Sequence, residues 1–176
     1  MAYHHLYNDG FSFSQTSIAS GDTISNTNVA TSFATGFTLR DGALADGRSI
    51  KIHAAFRVST TGTPTLGLKL FANQQTVALL TFTAWTLGNN LSATLITLNG
   101  HITTTGYGKS ATNKCVGIVD DIGSNIRTAS TVPSIDPQLY RADLSQIWTM
   151  QATFSAQDPA NIIVMHQFDL HQYTST

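Results

Sequence analysis

The chain has 176 residues, a mass of 18.9 kDa and a formal net charge of −1. That is enough chain to bury one sizeable core, and the near-neutral balance excludes a bulk electrostatic pull toward nucleic acid or an anionic membrane. Charged residues make up only 11%, against roughly 25% in an average soluble domain.

Serine and threonine take the place of the missing charges and supply about a quarter of the chain. Hydrophobic content is 41%. Disordered chains combine low hydrophobicity with high net charge, so disorder is not expected. No apolar run approaches the roughly eighteen residues that a spanning helix needs. Residues 1–10 lack the basic start and apolar block of a secretory leader. The one cysteine, Cys115, removes any intrachain disulfide framework.

Side chains alternate with a period of two along most of the chain, the signature of half-buried strands. Residues 1–10 precede any strong pattern and carry Tyr3, His4, His5, Leu6 and Tyr7. Residues 11–19 and 28–39 are weaker strand candidates, and 40–48 is a loop bounded by two Asp-Gly pairs. The cleanest strand spans 49–58, with Ile50, Ile52, Ala54, Phe56 and Val58 on one face. A Gly- and Pro-punctuated turn at 59–64 leads into a strand over 65–72, with Leu66, Leu68 and Leu70 inward.

Further strands are predicted over 76–84, 91–102 and 110–119, with a turn at 88–90. Residues 120–144 form a long irregular stretch, and its length marks it as a contact region. Residues 146–154 set Trp148, Met150, Ala152 and Phe154 together. After a turn at 157–161, residues 162–170 set Ile162, Val164, His166, Phe168 and Leu170 on one side. About eight or nine strands joined by short turns predict an all-β antiparallel sandwich or barrel. The domain reading is an N-terminal arm over 1–10 and one domain over 11–176.

The chemistry-bearing residues do not assemble into a reactive constellation in the sequence. His166 and His171 lie five apart, which in a regular strand puts them on opposite faces. His4 and His5 are neighbours with the same problem, and His53 and His101 are isolated. No zinc spacing occurs; His166, in apolar company, reads as a hydrogen-bonded core or interface residue. Asp120 and Asp121 read as a turn following a strand, and the Asp-Asp-Ile-Gly-Ser-Asn stretch is too sparse for a calcium loop. Cys115 reads as a small buried side chain, with Lys114 on the opposite face. There is no nucleophile elbow, phosphate loop or dinucleotide fingerprint. The expectation is a protein that is not an enzyme and takes no cofactor and no metal.

Three stretches carry a family resemblance. Arg57-Val58-Ser59-Thr60-Thr61-Gly62-Thr63-Pro64-Thr65-Leu66-Gly67-Leu68-Lys69-Leu70 resembles a strand, turn and Leu-alternating strand of tailed-bacteriophage virion proteins. Leu91-Ser92-Ala93-Thr94-Leu95-Ile96-Thr97-Leu98-Asn99-Gly100 is similar to the strand that follows there, and Ser25 to Thr31 to their first strand. The likeness covers about half the chain, from Ser25 to His101, and the chain departs from the pattern after Ser110.

It implies a jelly-roll virion structural protein, a decoration (cement) protein made in the host cytoplasm and bound outside the capsid. Its implied partners are the major capsid protein and two further copies in a homotrimer, with no nucleic acid and no membrane. The competing expectation is a tail, baseplate or head-fibre component of the same fold that binds carbohydrate through Trp85, Tyr107 or Trp148. The arm residues Tyr3, His4, His5, Leu6 and Tyr7 combine aromatic area with little charge, as interface cores do, and are the expected subunit or capsid contact. Deleting residues 1–10 should weaken trimer formation or shell binding, read by sedimentation, and leave the far-UV circular dichroism spectrum unchanged; unaltered affinity would remove that role.

Overall fold

A computed structural model describes residues 12–14, 21–39, 48–72, 78–105, 112–121, 125–128, 130–131 and 146–174. Every element in them is a strand. In chain order these are β1 (Ser12–Ser14), β2 (Asp22–Ser25), β3 (Thr31–Leu39), β4 (Arg48–Ser59), β5 (Thr65–Ala72) and β6 (Leu80–Thr86). They continue as β7 (Thr94–Thr105), β8 (Thr112–Asp121), β9 (Asn125–Thr128), β10 (Ser130–Thr131), β11 (Gln146–Phe154) and β12 (Ile162–Thr174). Eight of these have seven residues or more; β1, β2, β9 and β10 are short.

The strands form two antiparallel sheets. The seven-stranded sheet runs β1-β12-β4-β7-β8-β9, with β2 also on β12, and the five-stranded sheet runs β10-β6-β5-β11-β3. β1 and β2 share one edge of β12, at its C-terminal and N-terminal halves. The Asp22 carboxylate of β2 accepts a hydrogen bond from the Thr35 N–H of β3 at 2.5 Å, which laces the two sheets together along one side.

Alternation drives the layering. Ile50, Ile52, Ala54, Phe56 and Val58 of β4 are all 2% exposed or less, as are Leu66, Leu68 and Leu70 of β5 and Trp148, Met150, Ala152 and Phe154 of β11. Both inner faces join one apolar cluster. Aromatic pairs tie the layers across it: Phe33 meets Phe56 at 5.7 Å between ring centroids, and Phe37 meets Phe168 edge-on at 4.7 Å. Each such side chain contributes about 1.5–3 kcal/mol by leaving water.

Where observed strands depart from the expected ones, a bulge or a loop hydrogen bond is the cause. Of the expected strand 76–84, residues 76 and 77 lie outside the described residues; the strand described there is Leu80–Thr86, and the β5–β6 register shifts between Leu66 and Leu68. Thr83 and Ala84 are therefore both exposed, and Trp85 turns inward. The expected 91–102 is Thr94–Thr105, since residues 91–93 are held in a loop. Asp120 and Asp121 close β8, opposite Thr97 and Ile96, so the strand runs two residues past its expected end before the chain returns as β9. The described part of 120–144 is not irregular either, for β9 pairs with β8 and β10 pairs with β6, carrying the chain from one sheet to the other. Cys115 lies within β8, opposite Ile102.

The β12–β4 ladder shifts between Met165 and Gln167, and this bulge overturns the expected face of β12. The inward set is Ile163, Met165, Phe168 and Leu170, while Ile162, Val164 and His166 are only partly buried. His166 and His171 consequently lie on the same face, because the extra residue cancels the odd spacing between them.

Gly100 of β7 makes room for the opposing sheet. A Cβ there would sit 2.8 Å from Leu80 Cδ1 and 3.5 Å from Ile52 Cβ. Gly100→Val should lower stability by about 1–3 kcal/mol through overpacking, read from urea unfolding midpoints. Combination with Leu80→Ala should cost less than the sum of the two single changes, since the two residues share one space.

Candidate functional site

Four loops meet at one end of the sandwich: residues 26–30, 60–64, 87–93 and 155–161. Each carries the chain from one sheet to the other. Together they close over the apolar interior, where buried backbone groups must find partners. The loops satisfy one another.

Asn161 is 1% exposed and engages three of the loops. Its Oδ1 accepts from the Thr61 N–H at 3.2 Å, its Nδ2 donates to Ala156 O at 3.2 Å, and its carbonyl accepts from the Asn26 N–H at 3.4 Å. Thr60, 5% exposed, ties in the fourth loop. Its hydroxyl donates to Gly88 O and accepts from the Leu91 N–H, both at 3.2 Å, and its own N–H donates to Leu91 O at 3.0 Å.

Outer contacts reinforce these. Asn90 Oδ1 accepts from the Gly62 N–H at 3.2 Å, and the Asn90 N–H returns to Gly62 O at 3.3 Å. Ser155 Oγ accepts from the Thr65 N–H at 2.8 Å. The backbone is left-handed at Asn26 (φ 53), Gly62 (φ 68), Asn90 (φ 51) and Ala93 (φ 46). Asn and Gly accept that region readily. Ala93 is held there by its N–H to Ser59 Oγ and by Arg57 Nη1 to its carbonyl, each at 3.0 Å.

The surface so built is cross-linked by hydrogen bonds, polar and almost without charge. Asp158 is the sole charged residue in the four loops, and its carboxylate accepts from the Ala160 N–H at 2.8 Å. Asn28, Asn89, Ser92, Thr63 and Gln157 are exposed, and Val29 projects at 67% exposure. Such an end can form many hydrogen bonds without immobilising long side chains.

The expected contact residues Tyr3, His4, His5, Leu6 and Tyr7 lie outside the described residues, as do Tyr107 and residues 132–145. Trp148 is fully buried and Trp85 is 4% exposed, so neither offers a ring to a sugar. Trp85 Nε1 is buried without a hydrogen-bond partner. Among the described residues no group of three or more His, Cys, Asp or Glu side chains is placed to hold a metal ion. The loop end was visible in sequence only as separate turns, because the bonds that join it link residues far apart in the chain, Thr61 with Asn161 and Asn26 with Asn161 among them.

No family model matches the chain, and no curated protein matches it. Solved structures do. Peanut lectin, solved with a 9mer peptide, superposes with a TM-score of 0.50 at 9% identity, over 96% of this chain and 99% of that one. A Lotus tetragonolobus seed lectin gives 0.48 at 10% identity, over 96% and 95%. The CBM2 module of an evolved Dit from Lactobacillus casei BL23 phage J-1 gives 0.37 at 12% identity, over 77% and 67%. The peanut lectin likeness is one of fold: two antiparallel sheets packed as a jelly-roll sandwich.

Asn161→Ala should destabilise the protein by about 1–3 kcal/mol, because it removes both side-chain hydrogen bonds of a buried residue, to the Thr61 N–H and the Ala156 carbonyl. Ala93→Gly should instead be neutral or stabilising by up to about 1 kcal/mol through relief of left-handed strain. Urea titrations of the two variants check both signs.

Proposed function

We propose that the chain is a non-enzymatic virion structural protein, a capsid decoration protein that seats on the outer surface of the major capsid shell and stabilises it as a homotrimer. The observation that carries this reading is the loop end, four crossing loops fixed by their own hydrogen bonds and bearing one charge among them. A surface already ordered before contact loses little freedom on binding. A surface that grips with amides and hydroxyls holds through changes in salt that would screen ion pairs. The virion setting rests on the sequence pattern from Ser25 to His101, which includes the Thr60–Pro64 and Leu91–Ala93 portions of that end.

A decoration protein acts by linkage. Whatever binds the assembled shell and not its dissociated subunits shifts the balance toward the shell. Purified protein should therefore co-sediment with shells lacking it and raise their temperature of disruption. Replacing exposed Asn89 and Gln157 by Lys should weaken that binding and leave the unfolding midpoint unchanged. Failure to bind any shell, with a positive signal on a neutral glycan array, would overturn the capsid role in favour of a tail, baseplate or head-fibre component.

A further inference from the structure

Val29 breaks the polar pattern of the loop end. Among the described residues three large hydrophobic side chains are exposed: Val29 at 67%, Ile147 at 51% and Leu95 at 41%. Ile147 and Leu95 lie within β11 and β7, opposite Thr38 and Arg57. Val29 stands instead in the 26–30 loop, where the chain passes from β2 to β3. The other large aliphatic side chains of the four loops, Leu87 and Leu91, pack on the core.

The backbone around Val29 is prepared for leaving water. Its N–H donates to Thr27 Oγ1 at 3.1 Å. Its carbonyl accepts from Thr31 Oγ1 at 3.0 Å and from Thr27 Oγ1 at 3.4 Å. A peptide group covered by a partner surface is costly when it has nothing to bond. Here both peptide groups of the valine have partners within the loop. A partner can therefore close over Val29 without supplying a single hydrogen bond to its backbone.

The loop is also held at both ends. The Asn26 N–H donates to the carbonyl of buried Asn161 at 3.4 Å, and Thr31 enters β3 opposite Ala152. Branching at Cβ restricts the side chain of Val29 to few rotamers, so little freedom is left to lose on contact. Asn26 and Asn28, both exposed, flank it with amides. An apolar centre within a polar, hydrogen-bonding rim is the usual anatomy of a protein–protein contact. An isopropyl group offers no donor or acceptor to a sugar hydroxyl, so this feature fits a protein surface better than a glycan.

We infer that Val29 is the apolar anchor of the loop end, seated in a dry aliphatic pocket of the major capsid protein, with Asn26 and Asn28 at the rim. This rests on the capsid reading above and adds to it the residue on which the contact turns and the chemistry of the partner's side. Thr27 and Thr31 are positioning residues: they touch the partner through nothing but the valine they hold.

The test is the affinity of the full-length chain and its variants for shells lacking it, measured by co-sedimentation. Val29→Ala removes two methyl groups, and Val29→Thr keeps the shape while exchanging a methyl for a hydroxyl. Each should weaken binding about tenfold or more. The urea unfolding midpoint should not move, because the side chain is largely in water before contact. The Thr27→Val, Thr31→Val variant keeps both branched shapes but strips the Val29 peptide groups of their partners, and it should bind more weakly too. Shell binding by the native chain, with native-like affinity in both Val29 variants, would overturn the anchor and leave the capsid reading standing. No binding of the native chain to any shell would overturn both. A glycan-array signal that depends on Val29 would overturn the assignment to a protein pocket.

Discussion

The structure depends on closing one end of an apolar sandwich with polar backbone. The chain crosses between the sheets four times at that end, and every crossing exposes peptide groups beside a dry core. An unpaired buried peptide group costs about 1–3 kcal/mol. Asn161 and Thr60 meet that demand with side chains able to donate and accept at once. The same hydrogen bonds that seal the core also tie the four loops to one another.

Charge is sparse, and its acidic half is short. All ten acidic residues are aspartate. Short side chains lose little rotamer freedom when held, whereas Lys, Arg, Glu and Gln lose up to about 2 kcal/mol each. A protein built this way makes contacts that depend on shape and hydrogen bonding. The exception is the outer face of the seven-stranded sheet, where Lys51 and the histidines gather.

Bulges decide which face a residue occupies. One extra residue in β12 brings His166 and His171 to the same side and keeps Phe168 and Leu170 inside. One extra residue in β6 buries Trp85 and exposes Thr83 and Ala84. Neither bulge leaves a local mark that alternation can detect, because the apolar residues continue on both sides of the interruption. Parity read from β12's sequence therefore places Ile162 and Val164 wrongly, while the inner faces of β4, β5 and β11 follow their alternation, with Phe71 of β5 buried as well, against its expected outward place.

The sequence by itself determined the all-β character, the antiparallel layering and the inner faces of β4, β5 and β11, because alternation and turn residues act within a few positions. Only the tertiary structure decided that four separate turns form one end, since the Thr61–Asn161 bond spans 100 positions. Only strand register set Lys51 between His101 and His171, because which strands lie side by side is fixed by packing the whole core.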